Sequence, residues 1–190
     1  MIDLIQKNRE DFARLLNEIQ ITSDKGIDVS FTKAIENIVE LTIASQQSGG
    51  KVLWIGNGGS AAIASHMVTD FLKNAGVPAM AFNDGSLLTC LSNDLGYESV
   101  FTKPISMLAK ASDVLFAISS SGRSQSIVDA VSVAKKMGLT VVTLSGFDVD
   151  NPLRKMGNLN FYVPSHHYGH VEDIHQSIGH CLIDMIIQKK

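Results

Sequence analysis

Lys51-Val-Leu-Trp-Ile-Gly56-Asn-Gly-Gly-Ser60-Ala-Ala-Ile-Ala-Ser65-His-Met-Val-Thr-Asp70-Phe-Leu-Lys-Asn74 is the stretch on which the fold turns. Val52 to Ile55 are apolar without alternation, the mark of a strand buried on both faces. The glycine-rich turn Gly56–Ser60 follows at once, then helical spacing to about Asn74. A strand that passes through a short turn into a helix is the repeating unit of a parallel sheet with helices on its faces. Four further apolar runs repeat the theme. Residues 79–82 end at Asn83-Asp84-Gly85, and residues 114–118 end at Ser119-Ser-Ser-Gly-Arg-Ser124 before a helix that reaches Met137. Residues 141–144 end at Ser145-Gly146, and residues 159–163 end at Pro164. The expected fold class is α/β, a three-layer α/β/α sandwich around a five-stranded parallel sheet.

Upstream of the first strand lie two amphipathic helices. Leu4, Ile5, Phe12, Leu15, Leu16 and Ile19 carry helical spacing within residues 1–20. After a polar break at Ser23–Asp28, Phe31, Ile35, Ile38, Val39, Leu41 and Ile43 form a second stripe that stops at Ser48-Gly49-Gly50. The organisation expected is one domain over 1–190, with leading helices over 1–48 and the α/β core with its C-terminal helix over 51–190. The chain has 190 residues, of which 45% are hydrophobic and 18% charged, enough for one core and short for two. That composition excludes a disordered chain, and no apolar run suits a membrane span. A net charge of −3 argues against direct nucleic-acid binding. Cys90 and Cys181 have no metal-ligand spacing and fit a reducing compartment, so a cytoplasmic location is expected.

Ligands of an open parallel sheet bind beyond the carboxyl ends of its strands. Two loops there are unusual. Asn57, Gly58, Gly59 and Ser60 offer backbone N–H groups and a hydroxyl at a helix start, where an anion is favoured. Ser119, Ser120, Ser121 and Ser124 surround Gly122 with hydroxyl donors, which suit a phosphate. Four serines in six residues exceed what one helix cap needs. The first loop also fits G-x-G-x-x-A, with Asp84 ending the next strand, so a dinucleotide site is a rival reading. The serine loop has no place in that rival scheme and favours a small phosphorylated ligand.

Gly56-Asn-Gly-Gly-Ser60, Asn93-Asp94 and Ile118-Ser-Ser-Ser-Gly-Arg-Ser124, in this order, resemble the sugar isomerase (SIS) domains, which are flavodoxin-like in architecture. More narrowly the sequence resembles the phosphoheptose isomerases, nearly from end to end. The resemblance implies conversion of sedoheptulose 7-phosphate to D-glycero-D-manno-heptose 7-phosphate for bacterial surface heptose, and a homotetramer with sites at subunit junctions. It implies substrate contacts from Asn57, Gly58, Gly59, Ser60, Asn93, Asp94, Ser119, Ser120, Ser121 and Ser124. His66 matches the family's histidine, and Asp70 stands where the family has a glutamate, shorter by one methylene. Glu172 stands where the family has a glutamine, and His180 matches a histidine. By the resemblance these four form a metal site, usually for zinc, in which Asp70 is the base and His180 the acid. Helical periodicity by itself pairs Asp173, rather than Glu172, with His180.

Aldose–ketose isomerisation needs a base for the proton on carbon beside the carbonyl and an acid for the oxygens, roles a carboxylate and an imidazole can divide. The alternative is a non-catalytic module that binds a phosphosugar or a protein, as SIS relatives associated with a replication initiator do; the shortened Asp70 keeps it open. A different sugar phosphate is a third reading. Five of the six histidines fall between His166 and His180; the loop His166–His170 sits on the ligand side, whereas His175 reads as a core histidine and Arg123 as solvated. With about five strands and two leading helices, little chain is left to close over a sugar, so a neighbouring copy is expected to complete the site through those helices.

Overall fold

The computed structural model describes residues 1–189; Lys190, the last residue of the expected domain, lies outside the described residues. The helix α1 (Ile2–Asn17) leads into a short strand, β1 (Gln20–Ser23), and then α2 (Phe31–Gln47). The first α/β unit follows as β2 (Val52–Ile55) and α3 (Gly59–Lys73). Next come β3 (Ala79–Ala81), α4 (Gly85–Leu95) and α5 (Ser99–Leu108). The second half runs β4 (Val114–Ser119), α6 (Gln125–Lys136), β5 (Thr140–Ser145), a 3-10 turn at Pro152–Lys155, β6 (Leu159–Tyr162) and α7 (Tyr168–Lys189).

The sheet has the order β1-β6-β5-β4-β2-β3. All pairings are parallel except β1 with β6, which is antiparallel. The five expected strands are present, and the sheet has six because β1 adds an edge between the two leading helices. Gln-Ile-Thr-Ser is too short to show an alternation, and only Ile21 of the four is fully buried. The polar break after it is the turn that bridges Thr22 to Asp28. The sheet therefore draws on chain ahead of residue 51. Helices α4 and α5 were also not legible. Asp84 accepts from the Leu87 N–H at 3.0 Å to cap α4, yet no residue of α4 is fully buried, so its apolar stripe is thin.

Successive side chains of a strand point to opposite faces, and the two faces are clothed differently. Val52, Trp54, Phe116 and Ile118 pack with residues of α1, α2, α3 and α7. Leu53, Ile55, Leu115 and Ala117 pack with residues of α4, α5 and α6. Trp54 and Phe116 stack with ring centroids 4.2 Å apart across the β2–β4 pair. Burying a side chain of this size contributes about 2–3 kcal/mol. Lys51 at the start of β2 is held by buried Asp113, which accepts from its backbone N–H at 2.9 Å and its Nζ at 2.7 Å, and from the Lys110 N–H at 2.9 Å.

Chain order decides where a ligand goes. From β2 the chain moves outward to β3, whereas from β4 it moves to β5 and β6 on the other side. The switch point lies between β2 and β4, and the crevice beyond their carboxyl ends is the natural binding place. Those ends carry the Gly56–Ser60 and Ser119–Ser124 loops.

Candidate active site

A cleft of about 250 Å³ opens at the switch point, lined by Asn57, Gly58, Gly59, Ser60, Ile118, Ser119, Ser120, Ser121, Ser124, Tyr168 and Glu172. Eight of the ten substrate contacts expected from the sequence lie in it. Asn93 and Asp94 do not: they sit exposed near the end of α4, where the Asn93 amide donates to Asp94 Oδ1 at 2.8 Å. Helices α3, α6 and α7 all begin at the cleft, so the positive ends of three helix dipoles face it. Among the described residues the lining contains no lysine or arginine.

The first loop needs its glycines. Gly58 caps α3 with φ +54° and ψ −123°, a conformation open to glycine, and a Cβ on Gly56 would meet the Ser60 backbone at 2.6 Å. Asn57 is held at both ends of its amide. Its Oδ1 accepts from the Tyr97 hydroxyl at 2.8 Å, and its Nδ2 donates to Ser126 Oγ at 3.1 Å. Sequence reasoning missed Tyr97, because nothing local joins residues 40 apart.

Asn151 backs the serine loop. It is fully buried, and its Nδ2 donates to the Gly146 carbonyl at 3.1 Å and the Asp148 carbonyl at 2.8 Å while its side chain packs under Gly122. Ser119 Oγ donates to Ser124 Oγ at 3.2 Å, and Ser121 Oγ accepts from the Arg123 N–H at 3.3 Å. Ser120 Oγ is buried in the cleft wall with no hydrogen-bond partner among the described residues. A buried hydroxyl without a partner is costly, and an acceptor-rich ligand would satisfy it. Arg123 turns from the cleft to Asp150 at 2.9 Å and Asp148 at 3.6 Å; it is exposed, as expected, and also paired with these two surface carboxylates.

The histidine loop contributes a tyrosine instead. Tyr168 lines the cleft and packs edge-on against Phe147 at 4.7 Å. His166 stacks on Phe147 at 5.6 Å, and His170 is buried between His167 and Phe12; none of the three histidines lines the cleft. His175 is a core histidine, as its place on α7 suggested. Its Nε2 donates to the Ser145 carbonyl at 3.2 Å, and complete burial pushes its pKa down to about 4, against the smaller opposing pull of that hydrogen bond.

Farther along the same two helices stands a second group. α3 and α7 run side by side in the same direction, with Gly59 against Glu172, Met67 against Gly179, and Asp70 against His180. Asp70 Oδ2 lies 3.4 Å from His66 Nε2 and 3.6 Å from His180 Nδ1, and its Oδ1 accepts from Asn74 Nδ2 at 3.1 Å. The two imidazole rings are 5.2 Å apart, and His180 Nε2 is 3.3 Å from the Gln176 amide. Ligand atoms of His66, Asp70 and His180 all lie within 4.8 Å of one another. Two imidazoles and a carboxylate are a donor set that suits zinc or a similar divalent ion. The expected fourth ligand is elsewhere. Glu172 projects at the cleft beside Gly59, and the rise of an α-helix separates it from His180 by about 12 Å along the axis. Asp173, which angular periodicity favoured, is exposed and also outside the group. The Asp173 pairing considered angle around the helix and not distance along it, and the Glu172 pairing rested on the resemblance alone.

Comparison with known proteins identifies the family. Residues 20–146 match the model of the SIS domain. The phosphoheptose isomerase of Pectobacterium atrosepticum is 34% identical, over 97% of this chain and 95% of its own length. That of Photorhabdus laumondii is 38% identical over 90% of this chain and 92% of its own. Among solved structures, a phosphoheptose isomerase from Francisella tularensis aligns with a TM-score of 0.84 and 29% identity, covering 100% of this chain and 99% of that one. The phosphoheptose isomerase from Neisseria gonorrhoeae aligns with a TM-score of 0.82 and 28% identity, covering 97% and 98%. The chain belongs to the SIS-domain family, on its phosphoheptose isomerase branch.

Proposed function

We propose that the protein is a sugar-phosphate isomerase that interconverts sedoheptulose 7-phosphate and D-glycero-D-manno-heptose 7-phosphate, feeding heptose synthesis. The observation that carries this reading is the pairing of an anion cleft with an acid–base group on the same two helices. The phosphate fits the cleft: Ser120 Oγ, the other serine hydroxyls and the helix N-termini supply donors, and Gly58 and Gly59 let the backbone approach. The remainder of the open-chain sugar extends along α3 and α7 toward Asp70 and His180. Asp70 takes the proton from the carbon beside the carbonyl, and His180 gives a proton to the carbonyl oxygen, so an enediol forms without net change in protons. Return of the proton to the neighbouring carbon, with the second hydroxyl losing its proton, completes the shift of the carbonyl. Asp70 is positioned for this by Asn74 and by its two histidine neighbours.

His66, Asp70 and His180 are the residues that would hold a zinc or similar ion, and such an ion would polarise the substrate oxygens. Glu172 belongs in this reading to the cleft rather than to the metal. The working form is a homotetramer. Ile2, Leu4 and Ile5 of α1 lie 80%, 68% and 56% exposed, an apolar face that a second copy would cover. Two free cysteines agree with a cytoplasmic place of work, and among the described residues no helix is long and apolar enough to cross a membrane. The test is incubation of purified protein with sedoheptulose 7-phosphate, with and without zinc, followed by detection of the aldose 7-phosphate. Turnover supports the reading; its absence in both conditions overturns it and leaves the non-catalytic module.

A further inference from the structure

We propose that Tyr97 is a positioning residue that sets the spacing of the two anion-cleft loops through Asn57; this rests on the reading of that cleft as the phosphate site. The chain of contacts is short and complete. The Tyr97 hydroxyl donates to Asn57 Oδ1 at 2.8 Å, and Asn57 Nδ2 donates to Ser126 Oγ at 3.1 Å. Asn57 belongs to the first loop, and Ser126 lies in the first turn of α6, two residues beyond Ser124 of the second. One amide therefore ties the loop after β2 to the helix that grows out of the loop after β4.

Three features make Tyr97 the latch of this tie. An amide can turn about its last torsion, and Ser126, whose hydroxyl donates as well as accepts, does not by itself select one of the two orientations. Tyr97 supplies the second anchor, so that Oδ1 and Nδ2 are held at once and the amide spans the two elements. Second, Tyr97 is 49% exposed, so the burial of its ring does not require the hydroxyl to be there. Third, the chain is turned to deliver it: α4 ends at Gly96 with φ +87°, and a Cβ at that residue would press on the Glu98 carboxylate. With Oδ1 accepting from Tyr97 and one amide hydrogen on Ser126, Asn57 keeps one N–H for a ligand. Its main part is to hold the cleft at a fixed width.

The test measures inorganic phosphate affinity by calorimetry, and KM and kcat with sedoheptulose 7-phosphate, for the parent, Tyr97→Phe, Asn57→Ala and the double variant. Tyr97→Phe is expected to raise the phosphate Kd and KM together about fivefold, the scale of one hydrogen bond. Its kcat stays within about twofold, because the acid–base group is untouched. In the Asn57→Ala background the same change is expected to add nothing, a non-additivity that a merely structural role would not give. The proposal is overturned if Tyr97→Phe leaves phosphate affinity at the parent value, or if its full effect persists without Asn57. A parent that binds no phosphate overturns both the cleft assignment and the latch, which separates that failure from a silent variant in a phosphate-binding parent.

Discussion

Glu172 rests against Gly59, so closely that any side chain on Gly59 would overlap its carboxylate. This places the only formal charge that the described residues bring to the cleft lining at the first residue of α3. Gly59→Ala is expected to leave stability within about 1 kcal/mol, since the obstacle is the far end of a flexible side chain and alanine favours a helix. The displaced carboxylate and the added methyl then crowd the cleft. Calorimetry with inorganic phosphate should show affinity weakened about tenfold, the scale of one methyl in a fitted pocket.

Gly56→Ala meets a different neighbour and has a different outcome. Its Cβ would sit 2.6 Å from the carbonyl carbon and oxygen of Ser60, backbone that cannot swing aside. A loss of about 2–4 kcal/mol is expected in denaturant unfolding, in the range of strained or overpacked core substitutions.

Asp70→Asn keeps the size of the side chain and removes its charge. The expected result is a kcat lower by about 10²–10⁴ with the thermal midpoint near the parent value, as for loss of a general base. Zinc retained after gel filtration, counted by elemental mass spectrometry, should fall in Asp70→Asn and in His66→Ala. Full retention in both would remove these residues from the metal set.

His175 makes stability depend on pH. Its folded pKa of about 4 lies below the ordinary value of 6.5, so the unfolded chain binds the extra proton between those values. The contribution of neutral His175 is complete above pH 6.5 and is lost as pH falls through 4, about 3 kcal/mol in all. Thermal midpoints of the parent should therefore fall more steeply between pH 6.5 and 4 than those of His175→Gln.

Asp113 is the acceptor for two backbone N–H groups and for Lys51 Nζ, and it is almost fully buried. Asp113→Ala leaves the Lys51 and Lys110 backbone N–H groups without this acceptor, while Lys51 Nζ keeps the Leu108 carbonyl at 2.8 Å. A cost of about 3–5 kcal/mol is expected in chemical denaturation.

The sheet was legible because Val52–Ile55 and Val114–Ile118 are apolar on both faces, a pattern few other contexts produce. The cleft was legible because ligands bind beyond the carboxyl ends of such strands, and the serine loop at one of them exceeds what a helix cap needs. What sequence could not carry depends on distance through space. β1 is four residues with one buried, and it forms because the edge of β6 is available to it. Asp70 and His180 meet because α3 and α7 pack in parallel, whereas Glu172 and His180 share a helix and stay apart. Tyr97 reaches Asn57 only once Gly96 has turned the chain.

The parallel course of α3 and α7 makes the site a gauge. On the proposed reading one end of the helix pair receives the phosphate and the other holds the acid and base, with Glu172 and His180 about 12 Å apart along α7. A ligand would then react only when it spans that gap, and selectivity by carbon-chain length is the expected consequence of the helical rise. Short sugar phosphates, triose phosphates above all, can be anchored at one end or reach the other, but not both. Discrimination among sugars then needs no contact with the middle of the chain.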